Sequence, residues 1–247
     1  MNNFLKIKHS VNYSEVDHKN AMRLDALVSE IQKITAFHSK EMGVDGETTA
    51  KKCNAYWVVS KYKLKINFLP HVYDQIEIET WPTTVSTLRF NRDYTISSGS
   101  GVCALATSEW CTLDIDTKAI RRTNSICYPF DMPHRSDFSG AGEFSKKKEQ
   151  TCQEDFCYSH KVLFVDIDSN QHTNNIAYVR MALNAFIPEE FDNIKLDEFE
   201  IYFLSQTFYG DSVDVYKKKT EYGYFIEGKK DGKTVFNCVL KAKQKDC

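Results

Sequence analysis

The chain is poor in the residues that fill flexible linkers, with only 10 glycines and 5 prolines among 247 residues. It has no excess charge of one sign either, because 32 lysines and arginines balance 34 aspartates and glutamates. The low glycine and proline content excludes collagen-like and low-complexity chains. The balanced charge disfavours a nucleic-acid-binding module, which is usually strongly basic. We therefore expect a globular protein without a nucleic-acid partner.

Long hydrophobic runs are missing as well. The longest runs, such as Val162–Val165, are far shorter than the roughly 20 residues that a membrane-spanning helix needs. The N-terminal stretch has no apolar segment of the kind found in secretory signals. The sequence thus predicts a cytoplasmic protein that does not associate with a membrane.

Motifs for metal, cofactor and nucleotide binding are also lacking. The eight cysteines form no CxxC pair and no Cys/His cluster at zinc spacing. The chain contains no HExxH helix, P-loop, GxSxG elbow or glycine-rich dinucleotide motif. We expect reduced, mostly buried cysteines and a site that needs no metal and no cofactor.

Periodic segments are present throughout, in an order that repeats. In the first half, apolar residues from Leu24 to His38 recur at helical spacing, and Gly43 lies where the helix should end. Alternation then predicts strands in residues 57–68, 76–80, 88–96 and 102–113, the first with a solvated row at Lys61, Lys63 and Lys65. The first half therefore combines one long helix with several antiparallel strands.

The second half repeats this order. Alternation in Tyr158–Phe164 predicts a strand, apolar positions 176–186 predict a helix closed by Pro188, and strands follow in residues 199–203, 212–216, 222–227 and 234–242. Residues 132–153 show no periodicity. We predict an α+β fold with two similar domains, residues 1–132 and 154–247, joined by a connection over residues 133–153. Each domain is expected to wrap a curved antiparallel sheet around one long central helix.

The densest polar cluster, residues 166–175, lies between a predicted strand and a predicted helix. Helix capping needs one or two polar residues, so the alternating Asp168, Asn170 and His172 exceed that need and indicate a functional site. The N–H groups at a helix start suit a carbonyl that gains negative charge during acyl transfer. The corresponding residues of the first half are Asp17, Lys19 and Ala21. Only the acid is retained there, which predicts one site per chain.

The stretch Asp168–Asn175 reads D-x-N-x-H-x-N-N and resembles the acyl-acyl-carrier-protein thioesterases of the hotdog superfamily. Other segments resemble the same family in order along the chain: Tyr13–Asp17, Glu79–Pro82, Arg92–Tyr94 and Ser108–Trp110. The resemblance implies two tandem hotdog domains. It implies catalysis on the second domain and a degenerate first domain that binds the acyl chain.

The resemblance also implies a reaction, namely hydrolysis of the thioester between a fatty acyl chain and the phosphopantetheine arm of acyl carrier protein, with release of the fatty acid. In the family, the residues that correspond to Asp168, Asn170 and His172 act with an acidic or amide residue on the next strand. That position, a Glu in the family, is Gln206 here, and Thr207 follows where plant members carry a Cys. Gln206 can orient a water molecule but cannot take up its proton. The general base is therefore Asp168 or His172.

Two other functions fit the same pattern: an acyl-CoA thioesterase, and a non-catalytic acyl-binding protein. Acyl carrier protein is acidic, so a basic docking patch is expected on its partner. Three lysine rows are candidates: Lys61, Lys63 and Lys65; 146–148; and 217–219. A homodimer is compatible with the pattern, because hotdog sheets usually pair.

Overall fold

The computed structural model describes residues 3–130, 140–145 and 149–245, which divide into two compact units, Met1–Gly142 and Glu143–Cys247. The first unit contains β1 (Leu5–Ser10), α1 (Leu24–Glu41), α2 (Gly46–Cys53), β2 (Ala55–Ile66), β3 (Gln75–Val85), β4 (Phe90–Ser98) and β5 (Gly101–Asp114). The second contains β6 (Phe156–Lys161), α3 (Asn175–Leu183), α4 (Pro188–Asp192), β7 (Ile194–Phe203), β8 (Ser212–Thr220), β9 (Gly223–Lys230) and β10 (Lys233–Gln244).

The two units have the same strand order. It is β1-β3-β4-β5-β2 in the first unit and β6-β8-β9-β10-β7 in the second. All pairs within each unit are antiparallel. The predicted α+β class is confirmed. The predicted repeat is confirmed too, although each unit has two helices between its first strand and the four strands that follow.

Helix α1 packs against the first sheet through the helix face that its apolar residues predict. The Thr35 hydroxyl lies 2.7 Å from the Tyr94 hydroxyl of β4, and Arg92 of β4 donates to Nδ1 of His38 at 2.7 Å. All four side chains are buried. The helix ends at Glu41, two residues before Gly43, which adopts the left-handed conformation expected of a helix terminator (φ +68°).

The second long helix is shorter than predicted. Helix α3 ends at Leu183, and Pro188 begins α4 instead of closing α3. Proline suits the first turn of a helix because the N–H that it lacks has no partner there. Helix α2 was not predicted, since its eight residues, GETTAKKC, contain too few apolar side chains to show a period.

Two strand predictions need correction. Strand β6 ends at Lys161, and Phe164 lies exposed in a single 3₁₀ turn, where alternation had predicted a strand residue. Lys63 of β2 is buried and not part of a solvated row, while Lys61 forms an ion pair with Glu109 at 3.1 Å. The outer face of β2 is therefore more covered than its lysines suggested.

The described parts of the connection are attached to carboxylates of the two sheets. In the first unit, Asp93 alternates along β4 with side chains that face α1, so it points away from the helix. Its carboxylate accepts hydrogen bonds from Gly140 N at 3.1 Å and from the Thr107 hydroxyl at 2.7 Å. A Cβ on Gly140 would lie 2.4 Å from the Asp93 carboxyl carbon, so a side chain at this position would have to displace the carboxylate.

In the second unit two further carboxylates hold the connection. Glu200 accepts from the Ser145 hydroxyl at 2.7 Å and from Ser145 N at 3.0 Å. Glu227 accepts from the Thr151 hydroxyl at 2.6 Å. The lysine row 146–148 lies outside the described residues.

The cysteine and membrane predictions can be compared with the described residues. Seven cysteines are described, and all are free thiols. Four of them are buried, and three are exposed: Cys127, Cys152 and Cys157. Within the described ranges, no helix combines the length and the apolar character that crossing a bilayer requires.

Candidate active site

The three residues singled out in the sequence lie on one tight turn between β6 and α3. Oδ1 of Asp168 accepts hydrogen bonds from the backbone N–H of Asn170 at 2.8 Å and of His172 at 3.3 Å. Asp168 N donates to the carbonyl of His172 at 2.9 Å, and Gln171 adopts a left-handed conformation (φ +65°). A bridge between Ile167 and Thr173 closes the turn. We call residues 167–173 the acidic turn.

The first unit contains the same turn without two of these residues. Oδ1 of Asp17 accepts from Lys19 N at 2.8 Å and from Ala21 N at 3.0 Å, and Asn20 is left-handed (φ +63°). Asp17 N donates to the Ala21 carbonyl at 2.8 Å. The aspartate therefore shapes the backbone in both units. What the second unit adds are the side chains at 170 and 172.

A buried cluster of hydroxyl groups joins the acidic turn to the segment that follows β7. The Thr207 hydroxyl lies 2.6 Å from the Thr173 hydroxyl and 2.8 Å from the Tyr178 hydroxyl. Thr173 N donates to the Thr207 carbonyl at 2.9 Å, and Thr207 N donates to the Tyr178 oxygen at 3.0 Å. Burial raises the pKa of Tyr178, so this phenol is a neutral partner in the cluster. Thr207, which occupies the position of the plant cysteine, is completely buried and has a structural role.

Gln206 and Asn170 are exposed, whereas Asp168 and His172 are half-buried. The hydrogen bonds of Thr207 hold the segment that carries Gln206 against the end of the acidic turn. On the other side of Thr207, the Phe208 ring contacts the His172 ring edge-on, with centroids 5.2 Å apart. The structure thus places the predicted side chains on two adjoining segments that water can reach.

The backbone N–H groups at the start of α3 are less available for binding a carbonyl than expected. The Asn174 side chain accepts from Ile176 N at 2.9 Å, and its carbonyl accepts from Ala177 N at 2.9 Å. Since these two N–H groups are satisfied within the helix end, the exposed Asn170 amide is the better donor for a substrate carbonyl.

Asp211 fixes the loop after Gln206, a role that the sequence did not reveal. Its carboxylate accepts from Phe208 N at 2.9 Å and from the Lys230 ammonium at 2.6 Å. The hydrogen bond from Lys230 is the main reason why the pKa of Asp211 lies below its ordinary value. Gly210 adopts φ +86° in this loop. In the sequence, the Gly210-Asp211 pair is the feature from which this loop-fixing role could have been predicted.

One group of side chains among the described residues is close enough to hold a metal ion, and it lies in the first unit. It consists of His9, Glu15 and Glu30, whose ligand atoms are within 4.8 Å of one another. The Lys33 ammonium already neutralises Glu30 at 2.5 Å. None of these residues belongs to the acidic turn, so this group offers no metal to the candidate site.

Two lysines of the row 217–219 proposed for docking are engaged in contacts of their own. Lys217 is paired with Glu190, and its ammonium lies 4.5 Å from the centroid of the Phe186 ring. Lys218 lies 3.6 Å from Glu149. These contacts favour a packing role for Lys217 over carrier binding.

Comparison with known proteins gives consistent matches along the chain. Residues 2–128 match the family model for the N-terminal domain of acyl-ACP thioesterases, and residues 147–245 match the model for the C-terminal domain. The oleoyl-acyl carrier protein thioesterase 1 of Arabidopsis thaliana, a chloroplastic protein, is 27% identical over 200 residues, which cover 75% of this chain and 55% of the relative. A palmitoyl-acyl carrier protein thioesterase of Gossypium hirsutum is 23% identical over 190 residues, 71% of this chain and 45% of the relative. The chain therefore spans about half the length of these curated relatives.

Two solved structures share the fold over nearly the whole chain. An acyl-ACP thioesterase from Bacteroides thetaiotaomicron superimposes with a TM-score of 0.85 at 20% identity, covering 98% of both chains. The 12:0-ACP thioesterase from Umbellularia californica gives a TM-score of 0.84 at 15% identity and covers 99% of both chains. Because the two family models together match most of the sequence, the chain belongs to the acyl-ACP thioesterase family.

Proposed function

We propose that this protein hydrolyses the thioester between a fatty acyl chain and acyl carrier protein and releases the free fatty acid. The observation that carries the proposal is the difference between the two equivalent turns. The second unit adds the amide of Asn170 and the imidazole of His172 to a backbone turn that the first unit also forms with Asp17. Family membership supports the same substrate.

In the proposed mechanism, the Asn170 amide donates to the thioester carbonyl and stabilises the oxyanion as it forms. His172 removes a proton from a water molecule, and the water oxygen attacks the carbonyl carbon. The tetrahedral intermediate then expels the pantetheine thiolate, which receives the proton from His172. The products are a fatty acid and a free thiol, and no further reactant is needed.

We assign the base to His172 because one oxygen of Asp168 is already occupied by the turn. Oδ1 accepts both backbone hydrogen bonds, so the carboxylate holds Asn170 and His172 in place and leaves Oδ2 to orient the water. Gln206 is a second orienting group, since its amide can hold a water but cannot take its proton. Thr207 has no part in the chemistry, because its hydroxyl is buried and bonded.

We further propose that the two units are tandem hotdog domains, and that the first has lost its site and binds the acyl chain. The equal strand order of the units supports the duplication. Leu69 supports the loss, because it stands where Gln206 stands in the second unit. The neighbouring residues fix this equivalence, since Pro70 and Thr207 accept corresponding hydrogen bonds from Met22 N and Thr173 N.

The proposal is tested by steady-state hydrolysis of matched thioesters of one acyl chain, carried by acyl carrier protein or by coenzyme A. We expect a much higher kcat/KM with the carrier protein. Single variants Asp168→Ala, Asn170→Ala and His172→Ala should each lose most activity, whereas Asp17→Ala should retain it. Equal activity on both thioesters would indicate an acyl-CoA thioesterase. Tight acyl binding without any hydrolysis would indicate a non-catalytic acyl-binding protein.

A further inference from the structure

Large apolar side chains are exposed directly beside the acidic turn. Phe164 and Val165, which precede it, are 84% and 80% exposed, and Tyr209 is 69% exposed. Single exposed apolar residues are ordinary, but a contiguous group of them marks a surface that binds something.

These side chains form one wall of an open cleft that reaches the candidate site. The cleft has a volume of about 850 Å³, and Asp168 lies on its surface. Its apolar lining consists of Phe164, Val165, Ile167, Phe208 and Tyr209. A molecule in this cleft would therefore lie against the residues of the acidic turn.

The equivalent segment of the first unit has a different surface, with the exposed rings of Tyr13 and Tyr73 in contact at 5.4 Å between centroids. There, Asn12 N donates to Glu15 at 2.9 Å, just as Leu163 N donates to Asp166 at 2.9 Å in the second unit. The backbone arrangement is thus the same. From the donor residue to the acceptor residue of this hydrogen bond, the sequence is Asn-Tyr-Ser-Glu in the first unit and Leu-Phe-Val-Asp in the second. Since the same turn forms with Asn12 and Ser14 in place of Leu163 and Val165, its folding does not require apolar residues at those two positions.

We propose that the cleft binds the pantetheine arm of the thioester substrate, an inference that rests on the proposed function. Among the described residues that line the cleft, Asp168 alone is charged, so the lining suits an uncharged ligand and opposes a phosphate or a nucleotide. A pantetheine arm is neutral and carries both methyl groups and amides. The aromatic wall matches the methyl groups, and Ser169 and Gln171 on the same lining can bond the amides. The thioester at the end of the arm then meets the acidic turn.

The test uses Phe164→Ser, with Tyr13→Ser at the equivalent position of the first unit as the control. Three thioesters of one acyl chain are compared: acyl carrier protein, free pantetheine, and N-acetylcysteamine, which lacks most of the arm. Burial of a phenylalanine side chain corresponds to a change of about tenfold or more in affinity. We expect Phe164→Ser to raise KM about tenfold with the first two substrates and to leave kcat/KM unchanged with the third. Tyr13→Ser should change none of them.

Several results would overturn the inference. A KM raised only with the carrier protein assigns the cleft to the carrier's own surface. A loss of dimers in sedimentation velocity at unchanged KM assigns it to a second copy of this chain. Binding of the non-hydrolysable ketone analogue of acyl-pantetheine is measured in parallel by calorimetry. If the wild type hydrolyses nothing, the proposed function fails, but a weaker affinity of Phe164→Ser for the analogue still supports the cleft, and an equal affinity refutes it.

Discussion

The two units form the same backbone turn with the same residue type, an aspartate, and differ in the side chains that the turn carries. Asp17 and Asp168 each close a five-residue turn through one carboxylate oxygen, with a left-handed residue at the fourth position. The first unit places Lys19 and Ala21 on this turn, and the second places Asn170 and His172. The comparison shows that an aspartate in a family motif can hold a backbone turn. Its presence alone does not identify a working site.

The largest expected effect concerns the side chains that the first unit lacks. His172→Ala should lower kcat by about 100- to 10,000-fold, the range that general acid–base catalysis contributes. Its melting temperature should change little, since Ala21 occupies the same place in the first unit. Hydrolysis of acyl carrier protein thioesters and thermal unfolding measure the two effects. An active His172→Ala protein would remove the base assigned here.

The reverse transfer sharpens the same point. Lys19→Asn combined with Ala21→His in the first unit should not restore activity to His172→Ala. The first unit still carries Leu69 where the second carries Gln206, so the water-orienting amide is absent. Recovered hydrolysis in this triple variant would mean that the first unit needs only these two side chains.

Paired aspartate variants separate folding from catalysis. Asp17→Ala and Asp168→Ala each remove two backbone hydrogen bonds, so each should cost about 1 kcal/mol, as the loss of a helix cap does. For a chain of this size that corresponds to a fall of about 2–4 °C in melting temperature. Only Asp168→Ala should also lose activity. A large stability difference between the two variants would contradict their structural equivalence.

The hydroxyl cluster provides a test confined to the second unit. Thr207→Val leaves the Thr173 and Tyr178 hydroxyls with one partner fewer in a buried place, and should cost about 1–3 kcal/mol. Thr207→Ser keeps the hydroxyl and is the matched control. Chemical denaturation measures the free energy of unfolding. Equal stability of the valine and serine variants would show that the cluster does not contribute.

The smallest expected effect is a dependence on pH at Asp211. The hydrogen bond from Lys230 lowers the pKa of Asp211 below its ordinary value of 3.8, so its stabilisation is present above that value and is lost as the pH falls through the lowered pKa. Asp211→Asn should therefore lower the melting temperature at pH 7, by about 1–3 °C for a half-buried pair near the surface. The difference from wild type should shrink as the pH falls below about 4.

Asp74→Asn is the control for this variant. Asp74 holds the equivalent loop of the first unit by accepting from His71 N at 2.8 Å, and no lysine pairs with it within the described residues. A pH dependence as large for Asp74→Asn as for Asp211→Asn would show that Lys230 is not the cause.

The elements with a regular period could be predicted from the sequence. The apolar stripe of α1 is 18 residues long, and the strands of both sheets alternate clearly. The prediction failed where local preference and tertiary packing differ. Phe164 continues the alternation of β6, but the chain turns before it. Pro188 was read as the end of a helix, although proline is equally suited to begin one.

The candidate site could be predicted only where its residues are close in sequence. Asp168, Asn170 and His172 are close in sequence, so a local turn is sufficient to bring them together. The buried role of Thr207 depends on Thr173 and Tyr178, 34 and 29 residues away. A periodic pattern in the sequence does not reveal a contact between residues so far apart in the chain. The engagement of Lys217 with Glu190 and Phe186 was hidden in the same way.

The carboxylates that hold the connection have a consequence for dividing the chain. Residues 140 and 141 are bonded to side chains of the first unit, and Ser145 and Thr151 are bonded to those of the second. A cut between Gly142 and Glu143 would therefore produce two fragments whose new ends are already attached to their own sheets. Each fragment would contain one of the two aspartates together with all five strands of its own unit.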